Sequence, residues 1–166
     1  MGFVGWRKGL IRTLGAARCA IKRNIMTDYE RMMDRIEELL QKPFWVIDIL
    51  PEQVKENSPG QYFEVERFYL KDKDLRRKQL NVLLKLNCYY DFTVVLDEGE
   101  VLRNPLPDMM EDLVGKKHMC IQVEETLIVA DPADTHMTLY NASRRLLELI
   151  KTIAVGEGLF IWKLPL

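Results

Sequence analysis

What the chain lacks narrows its chemistry before any motif is read. It has no uninterrupted run of about 18 apolar residues, so a membrane-spanning helix is not expected. Cysteine is scarce and odd in number: Cys19, Cys88 and Cys120 show no metal-ligand spacing, which argues against a disulfide framework or a zinc finger. Reduced thiols and a cytoplasmic location are the corresponding expectation. A phosphate cradle is missing too. Gly156-Glu157-Gly158 has no third glycine and follows a candidate helix instead of opening one. Gly-x-Ser-x-Gly, His-Glu-x-x-His and Walker patterns do not occur, and no repeat or low-complexity tract interrupts the chain. No cofactor is expected.

A basic face is also missing from most of the chain. Arg7, Lys8, Arg12, Arg18, Lys22 and Arg23 fall within residues 1–25, which hold no acid. Eighteen basic and 25 acidic residues follow them, leaving the body near −7 despite a net charge of −1. Nucleic acid is therefore not the expected partner, because neutralising phosphates needs a positive surface.

Residues 1–25 read as a basic amphipathic N-terminal extension. Phe3, Trp6, Leu10, Leu14, Ala17 and Ile21 recur at three- and four-residue spacing, a stripe suited to an anionic membrane surface or a transit-type peptide. The plainer expectation is that the extension is dispensable and that Met26 is an alternative start. Thr27 and Glu30 form a capping box directly after it. Membrane contact is expected only if the amphipathic helix forms.

Residues 26–166 read as one α+β domain with about six strands in a largely antiparallel sheet and helices packed mainly on one face. The clearest part is 135–163. His136, Thr138 and Tyr140 alternate with Met137 and Leu139 as in a half-buried strand. Leu146, Leu149, Ile150, Ile153 and Ala154 then give the apolar stripe of a helix capped by Asn141 or Ser143. Gly156 stands where a left-handed residue would end that helix, and Leu159-Phe160-Ile161-Trp162 suggests a strand covered on both faces. Upstream, a helix after Thr27 stops before Pro43, and residues 44–50 form a strand. Residues 61–70 lean to a short helix, and Asp72 or Asp74 opens a longer, largely buried one. A strand is expected at 89–96, a short helix from Pro107 to Gly115, and a meander over 118–140.

Four constellations bear on function. Tyr62, Phe63, Phe68 and Tyr69, interleaved with Glu64, Glu66 and Arg67, combine aromatic rings and charge as protein-interface anchors do; they would equally fill a gap between helix and sheet. Asp131, Asp134 and His136 are a candidate divalent-metal set, although Asp131-Pro132-Ala133-Asp134 is also ordinary turn chemistry. Asp48, between Ile47 and Ile49, either faces solvent or is buried with a raised pKa. Cys120 lies two residues from His118 on one strand face, but a nucleophile needs an orienting third group, and the sequence supplies none. The expectation with most support is a small non-enzymatic protein-binding domain, of adaptor or toxin-neutralising type, whose acidic, aromatic-bearing surface (Tyr62, Phe63, Glu64, Glu66, Phe68, Tyr69) takes a basic protein partner. The alternative is a small metal-dependent hydrolase using Asp131, Asp134 and His136. Oligomeric state has no sequence signature.

Overall fold

The computed structural model describes residues 27–164, so the basic extension expected at 1–25 lies outside the described residues. Helix α1 (Asp28–Leu39) starts as the capping box requires: the Thr27 side chain accepts from Glu30 N, and Glu30 reaches back to Thr27 N at 2.7 Å. Strand β1 (Phe44–Asp48) follows, then α2 (Tyr62–Leu70), α3 (Lys73–Asn87), β2 (Thr93–Leu96), β3 (Val101–Arg103), α4 (Pro107–Leu113), β4 (Met119–Val123), β5 (Thr126–Ala130), β6 (Met137–Tyr140), α5 (Arg144–Gly156) and β7 (Phe160–Lys163).

The strands form one sheet in the order β3-β2-β4-β5-β6-β1-β7, with every neighbouring pair antiparallel. This is the expected α+β fold with seven strands instead of six. The added strand, β3, has only three residues, too few to display a period of two. Strand β1 pairs with both β6 and β7, so the two strands around α5 run parallel to each other with β1 between them.

Alternation divides the sheet between two cores. On one face Ile47, Val94, Leu96, Met119, Ile121, Val123, Ile128, Met137 and Leu139 pack against Leu75, Val82, Leu83 and Leu86 of α3, Met110 of α4, and Leu146, Ile150 and Ile153 of α5. On the other, Val95, Cys120, Leu127, Val129 and Tyr140 meet Ile36 and Leu39 of α1. Helices therefore lie mainly on one face, as expected, and α1 covers part of the opposite face.

Two expectations about the C-terminal unit are corrected. The left-handed residue after α5 is Gly158 (φ +74°), not Gly156. Gly156 is still helical, and the chain closes a Schellman arrangement two residues later, with Gly158 N donating to Val155 O (3.0 Å) and Leu159 N to Ala154 O (2.8 Å). Strand β7 is not covered on both faces. Among the described residues it is the sheet edge, pairing with β1 alone, and Phe160 is exposed while Ile161 and Trp162 are half-buried. Its three apolar residues, Phe160, Ile161 and Trp162, reflect β-propensity and one-sided packing.

The N-terminal half of α3 is clamped onto the β5–β6 turn. Arg76 donates from Nη2 to Pro132 O (2.7 Å) and from Nη1 to Asp134 O (3.0 Å) and Gln79 Oε1 (2.9 Å). Gln79 Nε2 in turn donates to Thr135 O at 3.1 Å. The basic first turns of α3, which oppose the helix dipole, thus have a definite counterweight. Arg76 feels Asp131 and Asp134, while Lys78 pairs with Asp74 at 3.5 Å.

Candidate functional site

One end of the sheet carries most of the ionisable chemistry. Strands β2, β5 and β1 finish there, and β4 and β6 begin there, so the residues just beyond the paired ends fall into a row. Leu96 opposes Met119, Met119 opposes Ala130, Ala130 opposes Met137, and Met137 opposes Ile47. One step further along each strand come Asp97, His118, Asp131, His136 and Asp48, carboxylate and imidazole alternating across five strands. Strand spacing of about 4.8 Å spreads them along a line. Among the described residues no group of three or more His, Cys, Asp or Glu is placed to hold a metal ion.

The candidates from the sequence are thereby sorted. Asp131 turns to His118, its Oδ2 lying 2.8 Å from Nδ1, while its Oδ1 accepts from Ala133 N at 2.7 Å. His136 acts on Asp48 from the neighbouring strand. Asp134 offers its backbone carbonyl to Arg76. The three residues of the metal reading are thus directed to different partners. Asp48 is buried, at 8% exposure, and its Oδ1 accepts from Ile49 N at 2.7 Å. Burial raises its pKa and Glu66 adds to the rise, against a smaller lowering by His136 and the backbone N–H groups of Ile49 and Leu50.

Glu66 links this row to α2. The half-buried side of the helix carries Tyr62, Glu66, Tyr69 and Leu70. Tyr62 Oη donates to Glu66 Oε1 at 3.1 Å, and Tyr69 packs against the main core. Burial, then Glu66, Asp48 and Asp134, hold the Tyr62 hydroxyl well above the usual phenol range. The outer side carries Phe63, Glu64, Val65, Arg67 and Phe68, with Phe63 62% and Phe68 68% exposed. The rings form two edge-to-face pairs, Tyr62 with Phe63 (5.3 Å between centroids) and Phe68 with Tyr69 (5.5 Å). Each pair thus has an inner ring that packs and an outer ring that does not.

The orienting group absent from the sequence reading of Cys120 is Asp131. On the α1 side of the sheet, Cys120 Sγ lies 3.7 Å from His118 Nε2, and the same ring reaches Asp131 through Nδ1. Burial works against a charged His118, but its contacts with Asp131 and Cys120 prevail and raise its pKa to about 10. Asp131 is held below the ordinary carboxylate range, chiefly by His118. The β4–β5 hairpin could have shown this pairing: a two-residue turn at Glu124-Glu125 sets Val123 opposite Thr126, and counting back places His118 opposite Asp131.

No helix among the described residues is long and apolar enough to cross a membrane. Comparison with protein-family models, curated proteins and solved structures finds no match to the chain.

Proposed function

We propose that the chain is a small, non-enzymatic, cytoplasmic protein-binding domain, of adaptor or toxin-neutralising type, that engages a basic partner through α2. The observation that carries this reading is the exposure of Phe63 and Phe68 on a nine-residue helix with no fully buried residue. Covering an apolar side chain of this size contributes about 1.5–3 kcal/mol, so two bare rings are a large reserve for association. At ~100° per residue the two rings stand about 140° apart around the helix axis. A flat partner reaches only one of them. A groove that wraps the helix reaches both, with Glu64 and Arg67 between them.

Charge selects the partner. The body is acidic, and Glu66 on α2 adjoins Asp48, with Asp134 acting on the same Tyr62 hydroxyl. A groove with a basic rim is attracted over a distance and docks faster at low salt. To test this, a photo-crosslinking side chain is introduced at position 67 and the captured proteins are identified by mass spectrometry, with and without Phe63→Ser/Phe68→Ser. The expected result is a basic partner whose capture falls in high salt and disappears in the double variant, while that variant keeps the wild-type unfolding midpoint. A double variant destabilised by more than about 2 kcal/mol would mean that the rings pack the fold, and would overturn the proposal. Capture insensitive to both salt and substitution would overturn it equally.

A further inference from the structure

Cys120, His118 and Asp131 stand in the order that activates a sulfur. The carboxylate is fixed from behind: Oδ1 accepts from Ala133 N, and the turn bearing it is pinned through its carbonyls by Arg76. Its Oδ2 holds Nδ1 of the imidazole, which leaves Nε2 as the ring nitrogen facing Cys120 Sγ at 3.7 Å. A ring so anchored presents an N–H toward the sulfur when protonated and can hand that proton to a group leaving beside it. Asp97 from the β2–β3 turn also acts on His118, and Tyr29 of α1 is sensitive to both Asp97 and Cys120.

Accessibility decides which co-reactant fits. Cys120 is only 5% exposed and belongs to the α1-side core with Ile36, Leu39 and Val129. At that exposure peptides and other bulky electrophiles are shut out, which limits the co-reactant to a small uncharged oxidant. Cys88 is the internal contrast, since it is exposed and its thiol donates to Leu84 O at 3.4 Å.

We propose that Cys120, with His118 as proton donor and Asp131 as positioning residue, is a peroxide-reactive thiol that hydrogen peroxide oxidises to the sulfenic acid. The Cys120 sulfur supplies an electron pair to one peroxide oxygen. The S–O bond forms as the O–O bond breaks, and the departing hydroxide takes the proton from Nε2 and leaves as water. Sulfur loses two electrons and the peroxide gains them, so thiol plus hydrogen peroxide gives sulfenic acid plus water. The proton lost from the thiol restores the imidazolium.

The test uses the full chain. It is exposed to hydrogen peroxide for timed intervals, quenched with catalase, denatured and alkylated, and the remaining free thiol at Cys88 and Cys120 is measured by peptide mass spectrometry. Where accessibility alone sets the rate, the exposed Cys88 is consumed first. The proposal requires the reverse order, with Cys120 lost roughly tenfold faster or more, since a positioned proton donor contributes about 10²–10⁴-fold and burial takes back part of it. His118→Gln, which keeps a hydrogen-bonding side chain but not the cation, should slow Cys120 by a similar factor and leave Cys88 unchanged. If that variant does not fold, Asp131→Asn, which retains the acceptor for Ala133 N–H, is read in its place. Faster loss of Cys88 than of Cys120 in the wild type, or a folded variant with an unchanged Cys120 rate, would overturn the proposal.

Discussion

Gly115 and Arg76 provide a pair of substitutions that should cost less together than their separate effects add up to. Gly115 follows α4 with φ +75°, and a Cβ there would stand 2.7 Å from Arg76 Cδ and 2.9 Å from Cγ. Those carbons are not the loose end of a flexible arm, because the guanidinium beyond them is committed to Pro132 O, Asp134 O and Gln79 Oε1. Gly115→Ala therefore has two costs. Left-handed backbone at a residue with a Cβ costs about 1–2 kcal/mol. Displacing Arg76 gives up bonds from a charged donor, which contribute about 1.5–3 kcal/mol. Arg76→Ala alone incurs only the second cost. In the double variant the strain remains but no arm is left to displace, so the loss should fall short of additivity by about 2 kcal/mol, well outside the ~0.5 kcal/mol scatter of independent sites. Urea unfolding of the wild type, both single variants and the double variant measures this directly. Additivity would refute the reasoning, and so would a negligible effect of Arg76→Ala, because either result means that the clamp on the β5–β6 turn is not holding.

Two further predictions follow from the ionisable row. Because burial and Glu66 raise the pKa of Asp48 in the folded chain, the fold binds its proton more tightly than the unfolded chain does, and stability falls as pH rises from the ordinary aspartate range through the raised value. Asp48→Asn, which keeps the acceptor for Ile49 N, should therefore raise the thermal midpoint at pH 7 and lose that advantage in acid; a lower midpoint at pH 7 would contradict the assignment. For His118, with its pKa raised from 6.5 to about 10, the charged ring stabilises the fold fully below pH 6.5, and the contribution is lost as pH climbs through about 10. The stability gap between wild type and His118→Gln should accordingly be wide at pH 6 and nearly closed by pH 10.5, as read from denaturant midpoints.

Much of the architecture was legible because it rests on local signals. The Thr27/Glu30 box, the Pro43 stop, the stripe of α5 and the short turns of the meander each need only a few neighbouring residues to be recognised. The edge position of β7 was not legible, since Leu159-Phe160-Ile161-Trp162 has the same composition beside one strand as between two, and only the pairing shows that Phe160 is bare. The row across the sheet end was half legible. Asp131 opposite His118 follows from a two-residue hairpin by counting, but Asp48 opposite His136 depends on β1 pairing with β6 across a long stretch of chain, which no local pattern announces. The aromatic residues of α2 were visible as a cluster. Which rings pack and which stay bare was not, because that depends on how the helix is turned against Asp48 and the core.

The position of β1 between β6 and β7 has a consequence for the chain as it is synthesised. Strand β1 is the first strand of the sheet to be made, yet its neighbours are the last two, Trp45 ending up opposite Leu139 on one side and Lys163 on the other. Until β6 leaves the ribosome, Val46 and Ile47 have no sheet to enter and remain open to solvent and to chaperones. The closing step must also insert β1 between strands separated by all of α5, a search dominated by non-local contacts and therefore slow. Early α1 is likewise without a surface until Leu127 and Val129 arrive. The sheet can thus be completed only after its last strand in sequence, β7, has been made.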